Sequence, residues 1–186
     1  MTFQELCTDK LTGLSNRQAL DDAIEVMFAM MSRYDTQFSL VIFDIDHFQE
    51  ANDKQGHSEG DHIVQQVARL FDGCVRETDI VTRYGGEEFV IVLPQADLPG
   101  ACVICERLRT RAEEELPVTI SGGLAMALDG DSPKALLARA DAALYSAKTA
   151  GCNSVSYHTG SQIEALEPSQ QEQADQQDEL SEYQPA

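Results

Sequence analysis

Two short apolar runs, Ile80-Val81 and Val90-Ile91-Val92-Leu93, flank Arg83-Tyr84-Gly85-Gly86-Glu87-Glu88-Phe89, and this stretch constrains the fold more than any other. β-Leaning runs joined across adjacent glycines read as a hairpin, because glycine tolerates the positive φ angles of tight strand-joining turns. Glu87 and Glu88 follow the glycines directly. Two carboxylates ~4 Å apart repel by roughly 1 kcal/mol in water and by more when shielded, so a purely structural turn gains little from them. A divalent cation would remove that cost.

A second acidic group lies upstream. Phe38 to Phe43 is a compact apolar run that reads as a central strand covered on both faces, and it ends in Asp44-Ile45-Asp46. A carboxylate at the end of a buried strand is costly unless it is paired or coordinates a cation. Asp44 is therefore read as a metal ligand acting with the hairpin acids, while Asp46 reads equally well as the cap of a following short helix. A calcium-binding EF-hand opening at Asp44 is excluded. Its fifth, sixth and twelfth positions would be Phe48, Gln49 and Gln55, where an oxygen ligand, Gly and Glu are required.

The remaining chain alternates helix and strand. Asp9 to Arg17 is a polar entry capped at Ser15 or Asn16, and Leu20, Ala23, Ile24, Met27, Met30 and Met31 form one apolar helical stripe. Phe48 to Asp61 suggests a short helix, a turn and a second helix capped near Ser58, continuing from His62 to Cys74. Asn52 and Asp61 have the donors and acceptors that a guanine edge requires; a turn residue and a helix N-terminal acid are the plainer readings. Arg76 and Asp79 precede the hairpin and in isolation read as a surface ion pair. Asp97 to Glu115 is an amphipathic helix with Arg107, Arg109 and Arg111 outward, and Cys102 and Cys105 within it read as small core-facing residues. Val118 to Leu128 is a strand in which Gly122-Gly123 implies a bulge or the close approach of another backbone. A helix from Pro133 to Thr149 ends near Lys148, which reads as a phosphate ligand or as a partner of the helix dipole, and Val155 to Tyr157 forms a last strand.

Length and composition bound the function. A chain of 186 residues, 42% apolar, is expected to form one domain at 1–159 followed by an acidic, Gln-rich disordered tail at 160–186. The longest apolar runs are about six residues, against ~20 for a membrane span, and Met1 to Lys10 do not read as a signal peptide. With five cysteines in no disulfide-like pattern, a cytoplasmic location is expected. A formal charge of -19 argues against nucleic acid as a partner. Seven acids and no base lie in 160–186, which leaves -12 on the rest, so an anionic substrate would need metal ions to enter.

Arg83-Tyr84-Gly85-Gly86-Glu87-Glu88-Phe89 resembles the signature of the GGDEF family, the diguanylate cyclases, with Glu in place of the central Asp. Five further stretches resemble the family in order: DKLTGLSNR from Asp9, FDIDHFQEANDKQGHSEGD from Phe43, Arg76-x-x-Asp79, Ser121-x-Gly123-x-Ala125, and ADAALYSAK from Ala140. The resemblance covers Asp9 to Tyr157. It implies an α/β (α+β) fold with a mixed central sheet flanked by helices, similar to nucleotidyl cyclases and polymerase palm domains. It also implies condensation of two GTP into cyclic di-GMP and two pyrophosphates across a homodimer.

In that reading, Asp44, Glu87 and the Ile45 carbonyl hold two Mg²⁺ or Mn²⁺ ions per active site, and Glu88 assists them or takes a proton. Asn52 and Asp61 hold guanine, with Phe48, Gly85, Gly86 and Lys148 completing substrate binding. Arg76, Asp79 and Arg107 form an inhibitory site for the product, although a solvated basic face is the plainer reading of Arg107. Gln49 stands where the family commonly has Lys, and Cys152 where Gly-Arg-Asn is usual. With only about 15 residues ahead of the first helix, weak activity in isolation is expected. The alternative is a catalytically weak or inactive module that senses cyclic di-GMP or GTP, or acts as a scaffold.

Overall fold

β1, Phe38–Ile45, forms the spine of a six-stranded sheet in the computed structural model, which describes residues 7–167. α1 (Arg17–Tyr34) precedes it, and α2 (Phe48–Gln55) and α3 (His57–Cys74) follow. The hairpin strands β2 (Ile80–Arg83) and β3 (Glu88–Pro94) come next, then α4 (Leu98–Glu115), β4 (Ile120–Met126), α5 (Pro133–Thr149), β5 (Val155–His158) and β6 (Ile163–Ala165). The sheet order is β2-β3-β1-β4-β5-β6, antiparallel at every junction except the parallel β4–β5 pair. This is the expected mixed sheet flanked by helices.

The apolar run of β1 is continuous because both of its faces are covered. Val41, Phe43 and Ile45 pack beneath α3 and α4, against residues such as Val67, Phe71, Ile104 and Leu108. Phe38, Leu40 and Ile42 point the other way, onto Leu20 and Ile24 of α1 and Leu136, Ala140 and Leu144 of α5. In α1 the buried stripe is Leu20 and Ile24 with Met27 and Met31 at its margin, while Met30, expected inward, is 38% exposed. Asn16 caps α1, accepting from the Ala19 N–H at 3.2 Å.

Several local expectations are corrected. α3 starts at His57, because Gly56 and not Ser58 is its N-cap. Arg109, expected outward on α4, is buried: it donates to Glu106 at 2.7 Å, Glu113 at 2.7 Å and Asn153 at 3.0 Å. Two carboxylates from its own helix and the Asn153 amide ahead of β5 are what make burial of this guanidinium tolerable. Order also extends past residue 159, because β6 pairs with β5 and the Tyr157 hydroxyl donates to Glu164 at 2.7 Å. Such a short edge strand leaves little trace in composition. The remainder of the expected tail, 168–186, lies outside the described residues. Among those described, no helix is long and apolar enough to cross a membrane.

Gly122 and Gly123 mark a close approach rather than a bulge, since the β1–β4 register runs unbroken through both. A Cβ on Gly123 would lie 2.2 Å from the Ala140 carbonyl oxygen and 2.2 Å from the Leu144 nitrogen. The backbone of α5 rests directly on β4 there. Gly123→Ala should therefore cost about 1–3 kcal/mol, the usual range for forcing extra volume into a packed interior, seen as a lower urea midpoint. A midpoint equal to wild type would show that α5 is free to shift.

Candidate active site

The end of β1 brings the two acidic clusters together. Asp44 lies opposite Glu88 of β3 on one side and Ser121 of β4 on the other. The Ile45 N–H donates to the Glu87 carbonyl at 3.3 Å, so Glu87 sits one step along the same edge. Burial raises the carboxyls of Asp44, Glu87 and Glu88 above their ordinary values. The charge of Asp44 pushes both glutamates further up, and Asp141 on α5 adds to Glu88.

One ammonium group offsets this crowding. Lys148, in the last turn of α5, donates to Asp44 Oδ1, pairs with Asp46 Oδ1 at 3.0 Å and reaches the Ile45 carbonyl at 3.4 Å. Burial works to lower the Lys148 pKa, and its bonds to the two aspartates outweigh that and raise it.

Asp46 is not a helix cap. The N-cap of α2 is His47, in a left-handed conformation and without a side-chain bond. Asp46 is instead buried and accepts from Ser121 Oγ at 2.7 Å, Thr119 Oγ1 at 2.8 Å and the Asn153 N–H at 2.9 Å. Burial alone would raise its pKa, but these bonds hold it below the ordinary carboxylate value. The Asn153 N–H reaches it through a turn in which Gly151, Cys152 and Asn153 all have positive φ. Asn153 also ties this turn to Arg109 and Glu113 of α4.

The hairpin differs from expectation in its glycines. Neither Gly85 nor Gly86 has a φ in the left-handed region. A Cβ on Gly85 would lie 2.8 Å from Glu88 Oε2, so this glycine makes room for the Glu88 carboxylate, while Gly86 borders open space. The Tyr84 N–H closes the turn on the Glu88 carbonyl at 2.9 Å. Arg83 donates to the Gly86 carbonyl at 2.8 Å and to both Asp9 oxygens at 3.4 Å, and its N–H bonds Ser15 at 3.0 Å. Arg17, at the start of α1, stacks 4.6 Å from the Tyr84 ring, and its charge acts on Glu88.

On α2, Asn52 Oδ1 is buried with no hydrogen-bond partner, and a Cβ on Gly60 would fall only 1.8 Å from it. Asp61, the next residue, is exposed, whereas Phe48 is 8% exposed and packs into the core. Arg76 and Asp79 form a local turn in which the Asp79 carboxylate accepts from the Arg76 N–H at 2.8 Å. Arg107 donates to the Cys74 carbonyl at 2.7 Å, which brings it to the same corner. Gln49 bonds Asp53 at 3.0 Å. Cys105 is buried, and burial raises the Cys102 thiol to about 11, consistent with a core role.

Sequence reading did not assign Asp9, Arg17, Arg83 or Asn153 to the site. Arg83 carried the one available signal, a cation immediately before the glycines, whereas Asn153 reaches Asp46 only through a backbone N–H.

The oxygen-rich donor set of Asp44, Glu87 and the Ile45 carbonyl fits hard divalent cations. Among the described residues no group of three acidic, His or Cys side chains already closes around a metal position. Magnesium does not require one, because it commonly takes one or two carboxylates and fills its shell with water and substrate phosphate.

The model of the diguanylate cyclase GGDEF domain matches residues 6–154. The chain is 39% identical over 159 residues to the response regulator PleD of Caulobacter vibrioides, covering 80% of this chain and 35% of that protein. It is 38% identical over 156 residues to the diguanylate cyclase DgcP of Pseudomonas aeruginosa, covering 80% and 23%. It thus spans about a third or less of the length of these curated relatives. Among solved structures, the coiled coil and GGDEF domain of DgcB from Caulobacter crescentus in complex with c-di-GMP superposes with a TM-score of 0.81 at 31% identity, covering 83% of this chain and 87% of that one. The active GGEEF domain of a diguanylate cyclase from Vibrio cholerae gives 0.70 at 33% identity, covering 75% and 94%.

The Asp9–Arg83 tie has a defined pH dependence. Burial raises Asp9, but bonds from Thr12 and the Arg83 charge outweigh it and bring the carboxyl below 3.8. Its stabilising effect is therefore present above 3.8 and lost as pH falls through the lower folded-state value. Relative to Asp9→Asn, wild type should be more stable by up to about 1 kcal/mol near pH 7, with the gap in urea midpoint narrowing as pH drops below 3.8. A gap that persists in acid would exclude the ion pair as its source.

Proposed function

The chain belongs to the GGDEF-domain diguanylate cyclase family, and on that premise we propose that it condenses two GTP molecules into cyclic di-GMP with release of two pyrophosphates. The observation that carries this reading is the convergence of Asp44 at the end of β1 with Glu87 and Glu88 of the β2–β3 hairpin, beside Lys148 and the open space at Gly86. Asp44, Glu87 and the Ile45 carbonyl would hold Mg²⁺ or Mn²⁺, two ions per site, which when bound stabilise the attacking 3′-oxygen and the departing pyrophosphate.

The protein groups do the rest. Lys148 offers an ammonium to the triphosphate, and Gly86 leaves room for it along the hairpin. Glu88, its carboxyl raised by burial and by Asp44, is placed to take the proton of the 3′-hydroxyl. The unpaired Asn52 Oδ1 is a buried acceptor in need of a donor, and a guanine N–H supplies one; the Asp61 carboxylate accepts from the base edge beside it. An unpartnered buried polar atom otherwise costs about 1–3 kcal/mol, so Asn52 is stabilised by the base it recognises.

One domain holds one GTP, and the product joins two. Two copies must therefore meet about a two-fold axis with their clefts facing. Arg76, Asp79 and Arg107 form the product's inhibitory site on the outer corner. Five free thiols and a GTP substrate suit the cytoplasm.

Two substitutions test the assignment. Glu87→Gln should reduce cyclic di-GMP formation at least about a hundredfold, the upper range for even outer-shell metal partners, with an unchanged circular dichroism spectrum; undiminished turnover would sink the metal assignment. Gly60→Ala should displace the Asn52 amide and raise KM for GTP about tenfold or more, with kcat changed far less. An unaltered KM would remove Asn52 from guanine recognition. If calorimetry instead shows cyclic di-GMP bound by a wild-type chain that never forms it, the sensor reading replaces the enzyme.

A further inference from the structure

Lys148 occupies the oxygens assigned above to metal. Its ammonium donates to the Asp44 carboxylate and to the Ile45 carbonyl at 3.4 Å, two of the three ligands in that assignment. An ammonium on Asp44 Oδ1 and the Ile45 carbonyl competes with a divalent cation drawn to the same residues, since two cations held that close repel one another. We propose that Lys148 is a displaceable counter-ion that keeps divalent metal out of the cleft until a triphosphate arrives, so that metal and nucleotide load together. This rests on the metal assignment to Asp44 and Glu87.

Three features of the cleft support the exchange. First, the side chain of Lys148 is 26% exposed at the last turn of α5, so it can swing toward the mouth of the cleft. Second, Asp46 gives it a fixed anchor. The Asp46 side chain is fully buried, and Thr119, Ser121 and Asn153 all donate to it, so it is held in place while its pairing with Lys148 at 3.0 Å persists. The ammonium can then trade Asp44 for a phosphate oxygen without leaving the site. Third, releasing Asp44 with nothing in return would leave its charge unmatched beside Glu87 and Glu88, whose carboxyls are already raised by burial and by the Asp44 charge. A bare metal must therefore evict a well-bonded ammonium. A metal accompanied by a triphosphate gives that ammonium a new anionic partner. The coupling is reciprocal, as any linkage between two binding events must be.

The test is Mn²⁺ binding to the full chain, read as free Mn²⁺ by electron paramagnetic resonance, without nucleotide. Lys148→Met should bind Mn²⁺ at least about tenfold more tightly than wild type, equivalent to about 1.4 kcal/mol. Arg17→Gln is the control for a simple change of field, because Arg17 acts on Glu88 but makes no bond to Asp44 or to the Ile45 carbonyl. It should shift affinity much less. Equal affinity in wild type and Lys148→Met, or an equal shift in Arg17→Gln, overturns the counter-ion role while leaving the metal site standing. No Mn²⁺ binding in any of the three, even with a non-hydrolysable GTP analogue, overturns the metal assignment itself.

If Lys148→Met fails to fold, the wild-type lysine ammonium signal in ¹H–¹⁵N spectra decides. It should be unmoved by Mg²⁺ alone and shift when Mg²⁺ and the analogue are added together. A shift with Mg²⁺ alone contradicts the proposal.

Discussion

Carboxylates cannot be withdrawn from water at the end of a strand without a matching charge or a set of donors, and the architecture around β1 answers that requirement twice. Asp46 is satisfied outright, by two hydroxyls, a backbone N–H and Lys148. Among the described residues the Asp44 carboxylate is bonded only by Lys148, and its charge raises the two hairpin glutamates. The contrast separates a fully partnered acid from a sparsely partnered one two residues away. α5 makes the arrangement possible: its backbone lies on Gly123, and that contact fixes the height at which its last turn delivers Lys148.

The same logic organises the few cations of a chain whose formal charge is -19. Arg83 secures the hairpin to Asp9, and Arg109 braces the turn that carries Asn153. Arg76 and Arg107 gather at one outer corner near the end of α3. The chain spans about a third or less of the curated relatives named above.

Much of this was legible in the sequence. An apolar run without alternation marked β1 as a strand covered on both faces, the run after the glycines marked β3 as a hairpin strand, and paired carboxylates flagged Asp44, Glu87 and Glu88. What escaped reading depends on partners remote along the chain. Asp46 looked like a helix cap because its donors Ser121 and Asn153 lie 75 and 107 residues away. Arg109 looked solvated because helical spacing shows which face a residue occupies and not what is packed against it. Gly85 and Gly86 were read through backbone conformation, whereas Gly85 serves the volume of the Glu88 side chain. Phe48, grouped with the substrate by resemblance, turned out to be core. The start of α3 was misplaced because Gly56, which bears no capping side chain, joins two helices with almost no linker.

The central claim is that two copies of this chain, each holding one GTP, make one cyclic dinucleotide. Its most direct test is the initial rate of cyclic di-GMP formation from GTP and Mg²⁺ or Mn²⁺, resolved by chromatography over a wide range of protein concentration. Product should form at a rate per chain that rises with concentration until the dimer saturates. GTP that remains intact at every concentration would contradict it, and so would a rate per chain that stays constant in a protein shown to be monomeric throughout.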